Sequence, residues 1–188
     1  MSAPESALVV LVPAAEAVVA PFRARYDPSA ALGVPAHLTL LYPFKPPDQI
    51  TDPVIDGLRR LFAGFAAFDF VLNALKRFPR VLYLLPEPAE PFRQLTSAIW
   101  QLHPEAPPDG GRHQDVVPHL SLADRADVAT LERVEAEFMQ GARGRLPIRA
   151  RASSVTLLEN LTGRWQTRLT LPLGPSSQAR PGAISPQA

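Results

Sequence analysis

Short apolar runs alternate along this 188-residue chain with longer stretches whose apolar residues recur every three or four positions. Ala7 to Val12 (ALVVLV) is apolar and rich in β-branched residues, the pattern of a buried strand. Residues 14–26 carry helix formers with Val18, Val19 and Phe22 at helical spacing, and Pro21 is expected to kink or split that helix. Residues 27–35 (DPSAALGVP) read as turn and His37 to Tyr42 as a strand. After a loop over 45–53, Thr51 stands where it caps a helix and Pro53 in its first turn. That helix runs to about Phe65 on a stripe of Ile55, Leu58, Leu61 and Phe62.

Phe68 to Phe78 and Val81 to Leu85 read as strands joined across Pro79 and Arg80. Glu90 to Leu102 predicts a helix on Phe92, Leu95, Ile99 and Leu102. A polar loop over 104–115 leads to a short strand, His119 to Leu122, and Asp127 to Met139 predicts a helix on Val128, Leu131, Val134 and Phe138. Strands over 146–152, 154–159 and 164–171 close the pattern, the last two joined by a turn at Asn160–Gly163. Gly174 to Ala188 holds almost no apolar residue and is expected to be a disordered tail, leaving 1–173 as one domain. Hairpin-joined strands mixed with helices argue for an α+β fold with antiparallel or mixed sheets rather than a doubly wound parallel sheet.

Composition narrows the chemistry. The chain has no cysteine, which excludes disulfides, thiolate nucleophiles and cysteine-built metal centres. No glycine-rich phosphate loop is present. Net charge is +1, so no bulk field draws the chain to an anionic surface. No apolar run approaches the roughly 20 residues that span a bilayer, and no signal segment opens the chain; a cytoplasmic protein without membrane contact is expected. Of the 19 basic residues 17 are arginine, and 22 residues are proline, a bias that a GC-rich coding sequence explains.

One tetrapeptide occurs twice: His37-Leu38-Thr39-Leu40 and His119-Leu120-Ser121-Leu122, 82 positions apart in a chain with four histidines. In a strand, His37 and Thr39 share one face and Leu38 and Leu40 the other, and the second tetrad divides likewise. The leucines are expected beneath helices, and imidazole and hydroxyl side by side on the open face, roughly 6–7 Å apart at Cα level. Two such strands across a cleft gather two imidazoles and two hydroxyls. That set suits in-line displacement at phosphorus: one imidazole takes the nucleophile's proton while the other, protonated, supplies one to the leaving oxygen. Both protonation states are accessible near neutral pH, and the hydroxyls donate to the non-bridging oxygens. His103 and His113, at a helix end and in a polar loop, read as structural. A metal site on His37 and His119 is disfavoured, because the nearest acids, Asp48 and Asp124, are not at ligand spacing.

At these residues the chain resembles the two-histidine (2H) phosphoesterase superfamily of RNA 2',3'-cyclic phosphodiesterases and 2'-5' RNA ligase-like proteins, defined by paired H-x-[S/T]-x motifs. The context Pro35-Ala36-His37-Leu38-Thr39-Leu40-Leu41-Tyr42-Pro43-Phe44 is similar to the bacterial 2'-5' RNA ligase branch, and the resemblance extends over about residues 7–173. It implies a bilobal α+β fold with two pseudo-symmetric small antiparallel sheets facing a central cleft and helices outside. It implies His37 and His119 as the catalytic acid–base pair and Thr39 and Ser121 as substrate-binding groups, with no metal and no cofactor. The implied partner is RNA or a nucleotide with a 2',3'-cyclic phosphate, acted on by a monomer through hydrolysis or reversible 2'-5' ligation. The direction decides which histidine is acid. The alternative is an RNA- or nucleotide-binding module of the same fold without turnover.

Two further features bear on a polyanionic substrate. Residues 141–188 hold seven arginines and one glutamate, a surplus of six positive charges, while residues 1–140 carry a surplus of five negative ones. Positive charge beside a cleft attracts nucleic acid; a solvated sheet face explains it equally well. Trp100 and Trp165 are candidate stacking partners for a base. Strict alternation, however, assigns Trp165 to the core and sets Tyr42 and Phe44 on the face opposite His37.

Overall fold

The computed structural model describes residues 4–111 and 116–175. One antiparallel sheet contains β1 (Glu5–Leu11), β2 (His37–Leu41), β7 (Ser154–Asn160) and β8 (Trp165–Pro172), in the order β2-β1-β7-β8. The other contains β3 (Phe68–Phe78), β4 (Val81–Glu87), β5 (Leu120–Ala123) and β6 (Ile148–Ala152), in the order β5-β4-β3-β6. All pairings between these named strands are antiparallel. The fold is α+β and bilobal, as expected. The first sheet draws strands from both ends of the described chain and the second from its middle, so each repeated tetrad falls on, or just before, an edge strand of its own sheet.

Among the described residues five α-helices accompany the sheets: α1 (Pro13–Tyr26), α2 (Pro28–Ala31), α3 (Asp52–Ala63), α4 (Glu90–Leu102) and α5 (Val128–Gly141). The main core joins Leu8, Val10 and Leu38 of the first sheet to Leu72, Leu82 and Leu120 of the second, with Val19, Phe62, Phe92 and Phe138 from the helices.

Several sequence expectations need correction. Proline removes a backbone donor from the helix, yet α1 runs unbroken through Pro21. The carbonyl left without its donor, Ala17 O, instead accepts from Arg145 Nη2 at 2.6 Å. The stretch expected as plain turn holds α2, capped by Asp27, whose Oδ1 accepts from the Ser29 N–H at 2.9 Å. Leu102 ends α4 exposed; Thr96 is buried in its place, donating from Oγ1 to Leu40 O at 2.9 Å. Val128 is exposed because it opens α5, ahead of the buried stripe of Leu131, Val134 and Phe138. Thr51 precedes α3, but its side chain makes no capping bond. Gly174, assigned to the tail, is built into the fold. Its N–H donates to Phe65 O at 2.7 Å and its carbonyl accepts from the Ala67 N–H. A Cβ there would fall 2.4 Å from Ala63 O, so only glycine fits. The rest of the expected tail, 176–188, lies outside the described residues.

Register shifts interrupt both sheets, at Asn73 and Leu122 in the second and at two places in the first. Between β1 and β2 the pairing passes from Leu8–Leu41 to Val9–Thr39 and skips Leu40. Between β7 and β8 it passes from Leu157–Leu169 to Leu158–Thr167 and skips Arg168. Beyond each extra residue the side chains exchange faces.

Candidate active site

The edge strands β2 and β5 approach each other where the two sheets adjoin. Within both tetrads the leucines are buried, and the histidine and hydroxyl residues are half-buried on the opposite face. His37 opens β2, and His119 immediately precedes β5.

The two imidazoles are held in the same way. His37 Nδ1 lies 2.7 Å from Pro35 O, and His119 Nδ1 lies 2.8 Å from Val117 O, each two residues back along the chain. A carbonyl oxygen only accepts, so Nδ1 carries the hydrogen in both rings and Nε2 is left to exchange a proton. Burial lowers the proton affinity of His37 to a pKa of about 4; Arg23 and His119 act in the same direction, opposed by the Pro35 carbonyl and Asp27. Burial also lowers the pKa of His119, opposed by the Val117 carbonyl, Asp124 and Asp109.

Helix α1 ties both tetrads together. Glu16 Oε1 accepts from the N–H of Ala36, the residue before His37, at 2.6 Å. Tyr26 O accepts from the N–H of Asp124, just past the second tetrad, at 2.8 Å. Between these anchors Arg23 and Asp27 form a buried ion pair, Nε to Oδ2 2.9 Å, and Arg23 Nη2 donates to Ser29 Oγ at 3.2 Å. On the other sheet, Phe78 and Tyr83 stack at 4.3 Å between centroids, and each meets the His119 ring edge-on at 5.3 Å. None of these supports stood out in the sequence. The i,i+4 spacing of Arg23 and Asp27 was a visible signal, but such pairs mark solvated helix faces as readily.

The other candidates lie apart. His103 follows α4, buried, with Nδ1 3.4 Å from Glu105 and its ring edge-on to Phe44 at 5.2 Å. Lys45 bonds the same Glu105 carboxylate. His113 lies outside the described residues. Trp100 is 46% exposed on α4. Of the C-terminal arginines, Arg145, Arg168 and Arg151 have structural partners, and Arg180 lies outside the described residues. Arg145 serves α1, and Arg168 donates to Pro47 O and Ile50 O at 2.8 Å each. Arg151 pairs with Asp69 at 2.9 Å. Arg149 and Arg151 line an open groove of about 580 Å³ together with Asp69 and Glu87, so local charge there is balanced. Among the described residues no group of three or more His, Asp or Glu side chains assembles as a metal-binding set, and no helix is long and apolar enough to cross a membrane.

The family model of the 2'-5' RNA ligase superfamily matches residues 11–164. Escherichia coli LigT, solved with 3'-AMP, superposes with a TM-score of 0.60 at 17% identity, covering 92% of this chain and 99% of LigT. LigT solved with NADP+ gives 0.57 at 18% identity, covering 92% and 99%. TT0787 of Thermus thermophilus gives 0.58 at 19% identity, covering 91% and 98%. These likenesses establish a shared fold. No curated protein sequence matches the chain.

Proposed function

The chain belongs to the 2'-5' RNA ligase superfamily, and from that premise we propose that it is a metal-independent phosphodiesterase opening 2',3'-cyclic phosphate ends of RNA or nucleotides. The observation that carries the reading is the duplicated imidazole setting: two histidines on adjoining edge strands, each bonded through Nδ1 to a carbonyl two residues back. The LigT structures with 3'-AMP and NADP+ support a nucleotide ligand.

In hydrolysis, Nε2 of one neutral imidazole accepts a proton from water as the water oxygen bonds to phosphorus. The bond from phosphorus to one ribose oxygen breaks, and the other imidazole, protonated, delivers its proton to that oxygen. Thr39 and Ser121 donate to the non-bridging oxygens, which hold the phosphorus between the rings. With a 5'-hydroxyl in place of water, attack with cleavage of the bond to O3' leaves a 2'-5' linkage. In the reverse reaction the two imidazoles exchange roles. Both free imidazoles have lowered pKa values, so the acid is charged mainly once the phosphate anion is bound beside it.

The test is turnover of 2',3'-cyclic AMP, and of an RNA ending in a cyclic phosphate, with EDTA present. Product is expected to form, and His37→Ala and His119→Ala are each expected to abolish it. Equal turnover in either variant contradicts the assignment. Saturable, salt-sensitive binding without product identifies a binding module instead.

A further inference from the structure

The open faces of the two sheets differ in character. On the first, Ala7, Val9 and Leu158 form an apolar patch with Trp165 packed on it, and the Trp165 ring meets Tyr42 edge to face at 5.9 Å. On the second, polar and charged side chains stand in the open. Leu84 and Leu120 pair on the core side. Their neighbours Tyr83 and Ser121, directly opposite each other, therefore share the other face with His119. On its other side Tyr83 lies opposite Lys76 of β3. Ser121, Tyr83 and Lys76 thus form one cross-strand row.

Within that row Tyr83 is buried, its ring against Phe78 and His119, while Lys76 is exposed. Among the described residues the Lys76 ammonium has no ion-pair or hydrogen-bond partner. The chain's other lysine, Lys45, bonds Glu105. Beside Lys76 on its own face stand Ala74, Phe78 and Tyr83, none of them charged. Arg77 falls on the opposite face and pairs with Glu135. The acids of the open face lie at the far end of β3: Asp69, which pairs with Arg151, and Glu87, opposite Val71. Adjacent strands are about 4.8 Å apart, which sets Lys76 about 10 Å from Ser121 at Cα level. Its flexible four-carbon stem lets the ammonium swing back over Tyr83. A cation at that remove from a phosphate at Ser121 meets the next phosphate of a single strand, one nucleotide away.

We propose that Lys76 binds the phosphate on the 5' side of the nucleotide whose cyclic phosphate lies between Thr39 and Ser121, so that the preferred substrate is an RNA end rather than a mononucleotide. The inference rests on the phosphodiesterase reading and adds what that reading leaves open, the choice between those two substrates. An ammonium is a point charge with three rotatable donors, suited to a backbone phosphate that approaches from more than one direction. Such a contact positions the strand and reads no base.

The test sets 2',3'-cyclic AMP against the dinucleotide ApA ending in a 2',3'-cyclic phosphate, which adds the upstream phosphate and nucleoside. Wild-type kcat/KM is expected to favour the dinucleotide roughly tenfold, about the worth of one hydrogen bond to a charged group. Lys76→Gln is expected to erase that preference and leave 2',3'-cyclic AMP unchanged, and Lys76→Arg to keep it. Arg149→Gln removes an equal charge from the same face, opposite Val71, and is expected to change neither substrate. Binding is read in parallel, independently of turnover. Adenosine 3',5'-bisphosphate is expected to bind roughly tenfold more tightly than 3'-AMP. Lys76→Gln should remove that difference and make the salt slope for the bisphosphate shallower by about 0.7. Four results each overturn the assignment: no wild-type preference, a preference that survives Lys76→Gln, an equal loss on 2',3'-cyclic AMP, or an equal loss in Arg149→Gln. Turnover of 2',3'-cyclic AMP then leaves the phosphodiesterase reading standing. A Lys76-dependent preference in binding, with neither substrate turned over, overturns the phosphodiesterase reading and keeps Lys76 at the flanking phosphate.

Discussion

His119 donates its Nδ1 hydrogen to the carbonyl oxygen of Val117 at 2.8 Å, and His37 repeats the bond to Pro35 at 2.7 Å. Each bond sets a ring against its own strand with Nε2 outward, on the face that carries the tetrad's hydroxyl. On the proposed reading, a phosphate held by both rings also accepts from both hydroxyls. Thr39→Val and Ser121→Ala are each expected to lower kcat/KM for a 2',3'-cyclic nucleotide by about 10- to 100-fold. Thr39→Ser is expected to stay within about threefold of wild type. Steady-state kinetics at one pH check this, and an unaffected Thr39→Val removes Thr39 from the phosphate site.

Stability should depend on pH through His37. Its pKa of about 4 in the fold lies below the ordinary value of 6.5, so between these values the unfolded chain binds more protons than the folded one. By linkage, stability is complete above about pH 6.5 and is lost progressively as pH falls toward 4. Melting temperatures should decline over that window, and less steeply in His37→Gln. Bound phosphate favours the charged imidazole and should flatten the slope. A steeper decline in His37→Gln contradicts the assignment.

Arg23 and Asp27 form a buried pair beside His37. Removing one partner of such a pair strands the other charge, at a cost of about 3 kcal/mol. Asp27→Asn is expected to lower stability by about that amount in chemical denaturation. It also removes a group that favours the charged form of His37 while leaving Arg23, which disfavours it. The His37 pKa should therefore fall further, as read by NMR titration of its ring. A rise refutes this role for the pair.

Pro21 and Arg145 should be coupled. Arg145→Ala removes the donor to Ala17 O and is expected to cost about 1 kcal/mol. Pro21→Ala restores a backbone N–H four residues from that carbonyl, so the same Arg145→Ala change should cost measurably less in that background. Additive effects in a double-mutant cycle exclude the coupling.

How far the sequence was legible depends on which residues carried the signal. The repeated tetrads declared the face pattern, because a period of two assigns imidazole and hydroxyl to one face without tertiary knowledge. The buried leucines beneath them and the hairpin-joined strands made the α+β class readable as well. Tyr42 and Trp165 were misplaced for the same reason: one extra residue at Leu40 and one at Arg168 reverse the count, and a bulge has no residue signature there. Glu16, Arg23 and Asp27 were missed because their importance comes from how α1 packs between the tetrads, a tertiary relation. Leu102 and Val128 fitted helical stripes but sit at helix ends, where the periodic face runs out of partner.

The most direct test of two imidazoles acting on one phosphorus is an NMR titration of all four histidine rings with inorganic phosphate at pH 6. The nitrogen signals of His37 and His119 are predicted to move together along one binding curve, both with Nδ1 protonated, while His103 stays still. Separate curves for the two rings, or a response from only one, contradict a shared phosphate site.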